Sequence, residues 1–407
     1  MKAFECGKLI DGLSDKPLEN AVVLVEDGEI EEVGSQGEVS IPDDADVVDH
    51  SENVVIPGLI DAHLHLVGTR SMNPFDWIKE DVTLGTARAT ADLRKLLRAG
   101  FTSVRDVGSG TALGLRDAVQ EGEIPGPRIY TSGRSISQTA GHGDAHYLPY
   151  TWVTDESKKG LAAIADGPDE CRKEVRKRIR EGVDLIKIMT TGGVLSEKDS
   201  PEQSQFTDEE IEVFTEEAHR VGIPVASHAQ GGPGIKSALR NGVDTIEHGF
   251  YLDDEAIDLM KETDAVFVPT LSIMHRLVTR GDEYGVPEYG LEKANHARDA
   301  HFKAVKLAYE NDVSIALGTD FIGPELVPHG ENVLEAELLV EMVGLSEMDA
   351  IKAGTSVAAR TVWDEKIGAI EEGRYADIVA LDSDPLEDIT ALRETKAVYK
   401  EGKKVEV

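Results

Sequence analysis

His63-Leu64-His65 closes an apolar, turn-bounded segment that opens with Pro57-Gly58-Leu59-Ile60. Residues i and i+2 of a strand share a face, so both imidazoles can aim at one point. Alone the pair is a weak signal and reads equally as two polar residues at a sheet rim. Other candidates recur at one place in a repeating pattern. Lys187 lies five residues after Gly182, His228 six after Gly222 and His248 six after Gly242, while Asp320 ends the run that starts at Val313. Each falls toward the C-terminal part of a short apolar segment. If these segments are parallel strands of one closed sheet, several imidazoles and a carboxylate converge, which is the donor chemistry of a metal site.

Lys187 stands inside Leu185-Ile186-Lys187-Ile188-Met189. A buried ammonium there is strongly desolvated and repels a cation. It can pair with a carboxylate such as Asp184. Alternatively the amine is neutral and adds CO2, giving an anionic carbamate whose two oxygens can bridge two metals.

The elements that must position these groups follow a helix–turn–strand rhythm. Thr207-Asp208-Glu209-Glu210 is a capping-box pattern; Ile211, Phe214, Ala218 and Val221 share a helical face; Gly222 suits a left-handed cap. Strands are expected at 54–65, 102–107, 128–133, 184–189, 224–229, 245–249, 266–270 and 314–320. Helix alternating with buried strand predicts a parallel sheet, and eight such strands predict a (β/α)8 TIM barrel. The alternative, an open doubly wound sheet, lacks its usual glycine fingerprint. Connections 134–168, 190–206 and 271–298 are long for the fold and belong on the rim that carries specificity. Ala21–Glu26 and Glu29–Val33 flank Asp27-Gly28 as a hairpin. The C-terminal stretch is similarly strand-rich. A small β-sandwich domain from both termini (1–56 plus 364–407) is therefore expected beside a hydrolase domain over 57–363.

Pro57-Gly58-Leu59-Ile60-Asp61-Ala62-His63-Leu64-His65, Lys187, His228, Glu247-His248-Gly249 and Gly318-Thr319-Asp320 together resemble the binuclear members of the amidohydrolase superfamily. Ala376-Asp377-Ile378-Val379-Ala380-Leu381-Asp382 resembles the part of that family that completes its small β domain. The resemblance spans essentially the whole chain. It implies that His63 and His65 bind one metal, that His228 and His248 bind the other, and that N-carboxylated Lys187 bridges them. Asp320 would bind the first metal and act as the catalytic proton carrier. Two divalent ions are implied; zinc suits imidazole and carboxylate, with manganese, cobalt and iron as alternatives. The implied reaction is attack of a metal-bridging hydroxide on an amide carbonyl, with Asp320 passing the proton to the leaving nitrogen.

Gln138-Thr139-Ala140-Gly141-His142-Gly143-Asp144, Gly192-Gly193-Val194-Leu195-Ser196 and Gln205-Phe206-Thr207 resemble the prolidase-like and imidazolonepropionase-like branch. By that resemblance His142 contacts a substrate carbonyl or carboxylate; otherwise it caps a loop turn. Gln230 stands where dipeptide-cleaving relatives often carry a substrate-holding Tyr, which leaves the leaving-group side open. Arg105 either binds a substrate carboxylate or forms an internal ion pair beside Asp106. His296 and His301 fall on a helix with charged neighbours. His146, His275 and His329 fall in rim loops and read as surface residues, and Tyr284 and Tyr289 as parts of a lid or of local packing.

The expected substrate is a small molecule such as a dipeptide or N-acyl amino acid. A second reading is a single-metal imidazolone hydrolase or deaminase, and a third, non-enzymatic reading is an inactive barrel scaffold. The 407 residues carry 77 acidic and 42 basic side chains, a formal charge of −35. Such a field disfavours nucleic acid as a partner. No basic amphipathic stretch or long apolar run suggests a membrane. Two cysteines form no disulfide framework, and the first residues lack a signal-peptide pattern, so a cytoplasmic location is expected. The acid excess suggests adaptation to high salt. Self-association into a homo-oligomer is compatible with the sequence and required by no feature of it.

Overall fold

The computed structural model describes residues 1–155 and 162–406. Part of the expected 134–168 connection and the terminal Val407 therefore lie outside the described residues. Both ends of the chain build one seven-stranded sheet. It contains β1 (Lys2–Leu9), β2 (Leu18–Glu26), β3 (Glu29–Ser35) and β4 (Asp46–Pro57) from the first segment. The last segment adds β14 (Ile378–Leu381), β15 (Thr395–Lys400) and β16 (Lys403–Lys404), in the order β16-β15-β14-β4-β1-β2-β3. The expected hairpin forms, with Glu26 opposite Glu29 and both Asp27 and Gly28 at positive φ, as a primed turn requires.

The terminal strands expected to form a small β-sandwich are hydrogen-bonded into one curled sheet. Phe4 of β1 and Tyr399 of β15 are three strands apart in the order, roughly 14 Å in a flat sheet. Their rings nevertheless meet with centroids 4.8 Å apart. The inner face thus buries Phe4, Val23, Val55, Ile378 and Tyr399 in one cluster.

The remaining strands are parallel and buried. β5 (Leu59–Leu64), β6 (Phe101–Asp106) and β7 (Arg128–Thr131) form one sheet. β8 (Ile136–Ser137), β9 (Ala163–Ile164), β10 (Ile186–Met189), β11 (Val225–Ala229), β12 (Thr245–His248) and β13 (Val266–Val268) form another, in the order β13-β12-β11-β10-β8-β9. Backbone hydrogen bonds link these sheets to each other and to the segment 314–320. Asp184 N donates to Thr131 O, Phe267 N to Ser314 O, Ala62 N to Leu317 O, and Thr319 N to His63 O. With helices between successive strands, the arrangement is a TIM-barrel-like α/β fold.

Three expectations need correction. Segment 54–65 is two strands, because Pro57-Gly58 turns the chain out of the terminal sheet. A Cβ on Gly58 would lie 2.0 Å from Thr102 Oγ1, so only glycine lets the backbones approach. Segment 314–320 makes no regular ladder; its pairing is the isolated bridge Phe267–Ile315, with Leu64–Phe321 just beyond. The expected loop 271–298 is largely helical, through helices Leu271–Arg280 and Glu288–Glu310.

The capping box is present as read: Thr207 and Glu210 satisfy each other's backbone N–H, the helix Asp208–His219 follows, and Gly222 is left-handed. No helix among the described residues is long and apolar enough to cross a membrane.

Candidate functional site

β5 carries the first pair of imidazoles. Its period-two alternation puts Asp61, His63 and His65 on one side. Asp61 is fully buried and accepts hydrogen bonds from His63 N (3.0 Å), Thr319 Oγ1 (2.7 Å) and Asn332 Nδ2 (2.6 Å). It therefore ties β5 to the segment that ends in Asp320. Asp320 Oδ1 lies 3.2 Å from His65 Nε2 and 3.6 Å from His63 Nε2. One donor atom from each of these three residues lies within 4.8 Å of the other two.

β11 and β12 carry the second pair. They run parallel with His228 opposite Glu247 and Ala229 opposite His248. Neighbours in a strand normally point to opposite faces, yet Glu247 and His248 both turn inward. The backbone achieves this at His248, whose φ of +73° is left-handed. Asp320 (φ +57°) and Thr270 (φ +54°) are left-handed too, so strained residues cluster here. The rings of His228 and His248 lie 4.6 Å apart and those of His63 and His248 5.0 Å apart, bringing the two pairs into one group.

Each buried imidazole has one nitrogen occupied by the protein. His63 Nδ1 donates to Glu247 Oε2 at 2.6 Å, His228 Nε2 to Gly192 O at 3.2 Å, and His248 Nδ1 is 2.7 Å from Thr270 Oγ1. Burial above all pushes all three far below the ordinary histidine value, so the rings are neutral and keep a free lone pair. For Asp320, burial alone would raise the carboxyl. The hydrogen bond from His65 and the neighbouring positive charges outweigh it and hold the group below its ordinary value.

Lys187 is 3% exposed, and its Nζ has no hydrogen-bond partner. Asp184 does not pair with it; that carboxylate takes Arg116 Nη1 at 2.9 Å and Thr131 N at 2.9 Å. Burial, joined by the charge of Arg105, pushes the amine down to about 8 against the opposing pull of Glu247 and Asp320. Lys187 is also a source of field at His63, His228, His248 and Asp320, so it sits among both pairs. An orphaned amine, three neutral imidazoles and a carboxylate are a donor set that fits a divalent metal centre.

The other candidates divide. His142 stacks on His228, with centroids 4.0 Å apart and 18° between planes. Gln230 follows β11; its Oε1 is buried without a partner. Arg105 is not a substrate anchor: it is 0% exposed and fully engaged inside the fold. Its guanidinium donates to Ala62 O, Thr245 Oγ1 and, at 2.7 Å, Glu247 Oε1. The internal ion pair is thus with Glu247 and not Asp106, whose oxygens accept from Leu66 N and Ser109 N.

Sequence reasoning gave no role to Glu247 or Asp61, although both stand beside metal-type histidines, at one and two residues' distance. It also placed His329 at the surface and gave His301, on its helix, no role. Both are buried: His329 Nε2 meets His65 O at 3.1 Å, and His301 Nε2 meets Pro269 O at 2.8 Å with its ring 4.4 Å from Phe250. Tyr289 OH donates to Leu195 O at 3.4 Å.

The amidohydrolase family profile matches residues 54–405. Ochratoxinase of Aspergillus niger is 36% identical over 423 residues, covering 98% of this chain and 85% of its own. The crystal structure of A. niger ochratoxinase superposes with a TM-score of 0.89 at 33% identity over 99% of this chain and 95% of its own. A Xaa-Pro dipeptidase with methionine bound in its active site gives 0.90 at 34% identity, covering 100% of both chains.

Proposed function

The chain belongs to the amidohydrolase family, and from that premise we propose that it is a metal-dependent hydrolase of a small amide, such as an N-acyl amino acid or dipeptide. Amide hydrolysis agrees with the relatives: one is an ochratoxinase and another a Xaa-Pro dipeptidase. The observation that carries the reading is Lys187, a buried amine without a partner amid His63, His228, His248 and Asp320. A neutral amine adds CO2 to form an N-carboxylate and release a proton, which turns a costly buried cation into an anionic ligand.

In this reading His63, His65 and Asp320 hold one divalent ion, His228 and His248 hold a second, and carboxylated Lys187 joins them. Zinc is the proposed metal. When bound, such ions lower the pKa of water toward neutrality and polarise a carbonyl. Asp320 accepts a proton from the attacking water and delivers it to the leaving nitrogen. Glu247 and Thr270 orient His63 and His248, and His142 holds the substrate. The backbone bonds between the two parallel sheets favour a closed (β/α)8 barrel over 57–363 as scaffold, with the curled terminal sheet as a separate small domain.

The test is a screen of N-acyl amino acids, dipeptides, lactones and imidazolones with zinc-loaded protein. Turnover of amides that is lost in Asp320→Asn supports the proposal. Turnover of imidazolones alone, with one tightly bound metal per chain, would instead support the single-metal reading.

A further inference from the structure

The helix Leu271–Arg280 opens without a cap of its own. Its N-cap residue, Thr270, makes no side-chain bond to the first turn. A threonine in that place normally accepts from the N–H two or three residues on. Here the hydroxyl lies 2.7 Å from His248 Nδ1 instead, on a backbone held left-handed at φ +54°. Leu271 and Ser272 are fully buried, so their N–H groups still need acceptors within the protein.

Glu335 supplies them. Its Oε1 accepts from Leu271 N at 2.8 Å and its Oε2 from Ser272 N at 2.7 Å. The side chain is itself fully buried and comes from a distant part of the chain, 63 residues after Ser272. It caps the helix from outside and leaves the Thr270 hydroxyl to His248.

One turn before Glu335, Asn332 serves the other half of the site. Its Nδ2 donates to Asp61 Oδ2 at 2.6 Å, and its Oδ1 accepts from Gly330 N at 2.8 Å, which fixes the amide's orientation. Asp61 accepts in turn from His63 N and from the Thr319 hydroxyl, next in the chain to Asp320. Glu335 N donates to Asn332 O at 3.2 Å, so the two residues share one turn of backbone. That turn meets the support of His63 and Asp320 on one side and the support of His248 on the other.

We infer that Glu335 and Asn332 are positioning residues. Glu335 caps the helix in place of Thr270, so that the Thr270 hydroxyl is free to orient His248. Asn332 fixes the Asp61 carboxylate that sets His63 and Asp320. The inference rests on the reading of these histidines as ligands of two metals.

The experiment titrates zinc into metal-free, full-length protein in bicarbonate buffer, in competition with a chromophoric chelator. Wild type should bind two zinc ions. Glu335→Ala should weaken one of them about tenfold and leave the other within about twofold. Thr270→Val, which keeps the side chain's shape and removes its hydroxyl, should do the same. The double variant should bind no more weakly than the weaker single variant, since both changes act on His248 through one bond. Asn332→Ala should weaken the ion that Glu335→Ala spares. Glu335→Gln, which keeps one acceptor oxygen, should recover part of the affinity and serves as the test where Glu335→Ala does not fold. Wild-type affinities in the Glu335 variants, or losses that add in the double variant, overturn the inference. A lowered melting temperature with unchanged zinc affinity does so too. A wild type that binds fewer than two zinc ions removes the two-metal reading and the inference with it.

Discussion

Glu247 steers His63: the imidazole Nδ1 donates to Oε2 at 2.6 Å, while Oε1 of the same carboxylate takes Arg105 Nη2 at 2.7 Å. The chain Arg105–Glu247–His63 fixes which ring nitrogen faces the site. Groups that orient a metal-binding histidine typically contribute 10–100-fold to metal affinity. Glu247→Gln should therefore weaken zinc binding by about that factor, read by competition with a chromophoric chelator. Equal affinity in the variant would leave Glu247 a purely structural partner of Arg105.

Lys187 separates the two-metal from the one-metal reading. Lys187→Ala should lower the metal content measured by elemental analysis, and a short carboxylic acid should restore part of it by replacing the missing carboxylate. Asp320→Asn should retain the fold by circular dichroism while losing about 10²–10⁴-fold in kcat, the usual worth of a positioned proton carrier. Wild-type turnover in Asp320→Asn would remove that role.

Gly193→Ala tests the close contact under His142. The added methyl would meet the ring at 2.3–3.0 Å, too near for carbon to stay without displacement. The variant should fold with a melting temperature within a few degrees of wild type, since the loop can move outward. Its KM should rise several-fold. A KM equal to that of the wild type would show that the ring position does not govern substrate binding.

Glu335 sets a pH dependence of stability. Burial pushes its carboxyl up to about 8, against the hydrogen bonds from Leu271 N and Ser272 N. An unfolded glutamate titrates near ~4.3. The folded value is the higher one, so this group's contribution is fully present below about pH 4.3. It is lost as pH rises toward about 8. In urea unfolding, the advantage of wild type over Glu335→Gln should shrink between about pH 5 and about pH 8. A constant difference across that range would contradict the raised value.

The charge of −35 predicts a salt response. Screening shortens the reach of charge repulsion from about 10 Å at 0.1 M to about 3 Å at 1 M. The melting temperature should climb as KCl is raised over that range and beyond. A flat or falling curve would exclude adaptation to a saline interior.

Local chemistry in the sequence determined the elements and the roll of metal-type residues. The primed turn at Asp27-Gly28, the Thr207–Glu210 capping box and the left-handed Gly222 are short-range devices, legible because their atoms are close in the chain. The shared face of His63 and His65 follows from strand alternation alone. Partnerships between distant residues were decided by the tertiary structure. Asp184 is three residues from Lys187 but takes Arg116 instead, leaving the amine alone. Arg105 is chain neighbour to Asp106 yet pairs with Glu247, 142 residues away. Adjacent strand residues point to opposite faces, so proximity along the chain says little about contact across a sheet. The curling that joins Phe4 to Tyr399, and the left-handed backbone that turns His248 inward beside Glu247, likewise arise only when the strands are packed together.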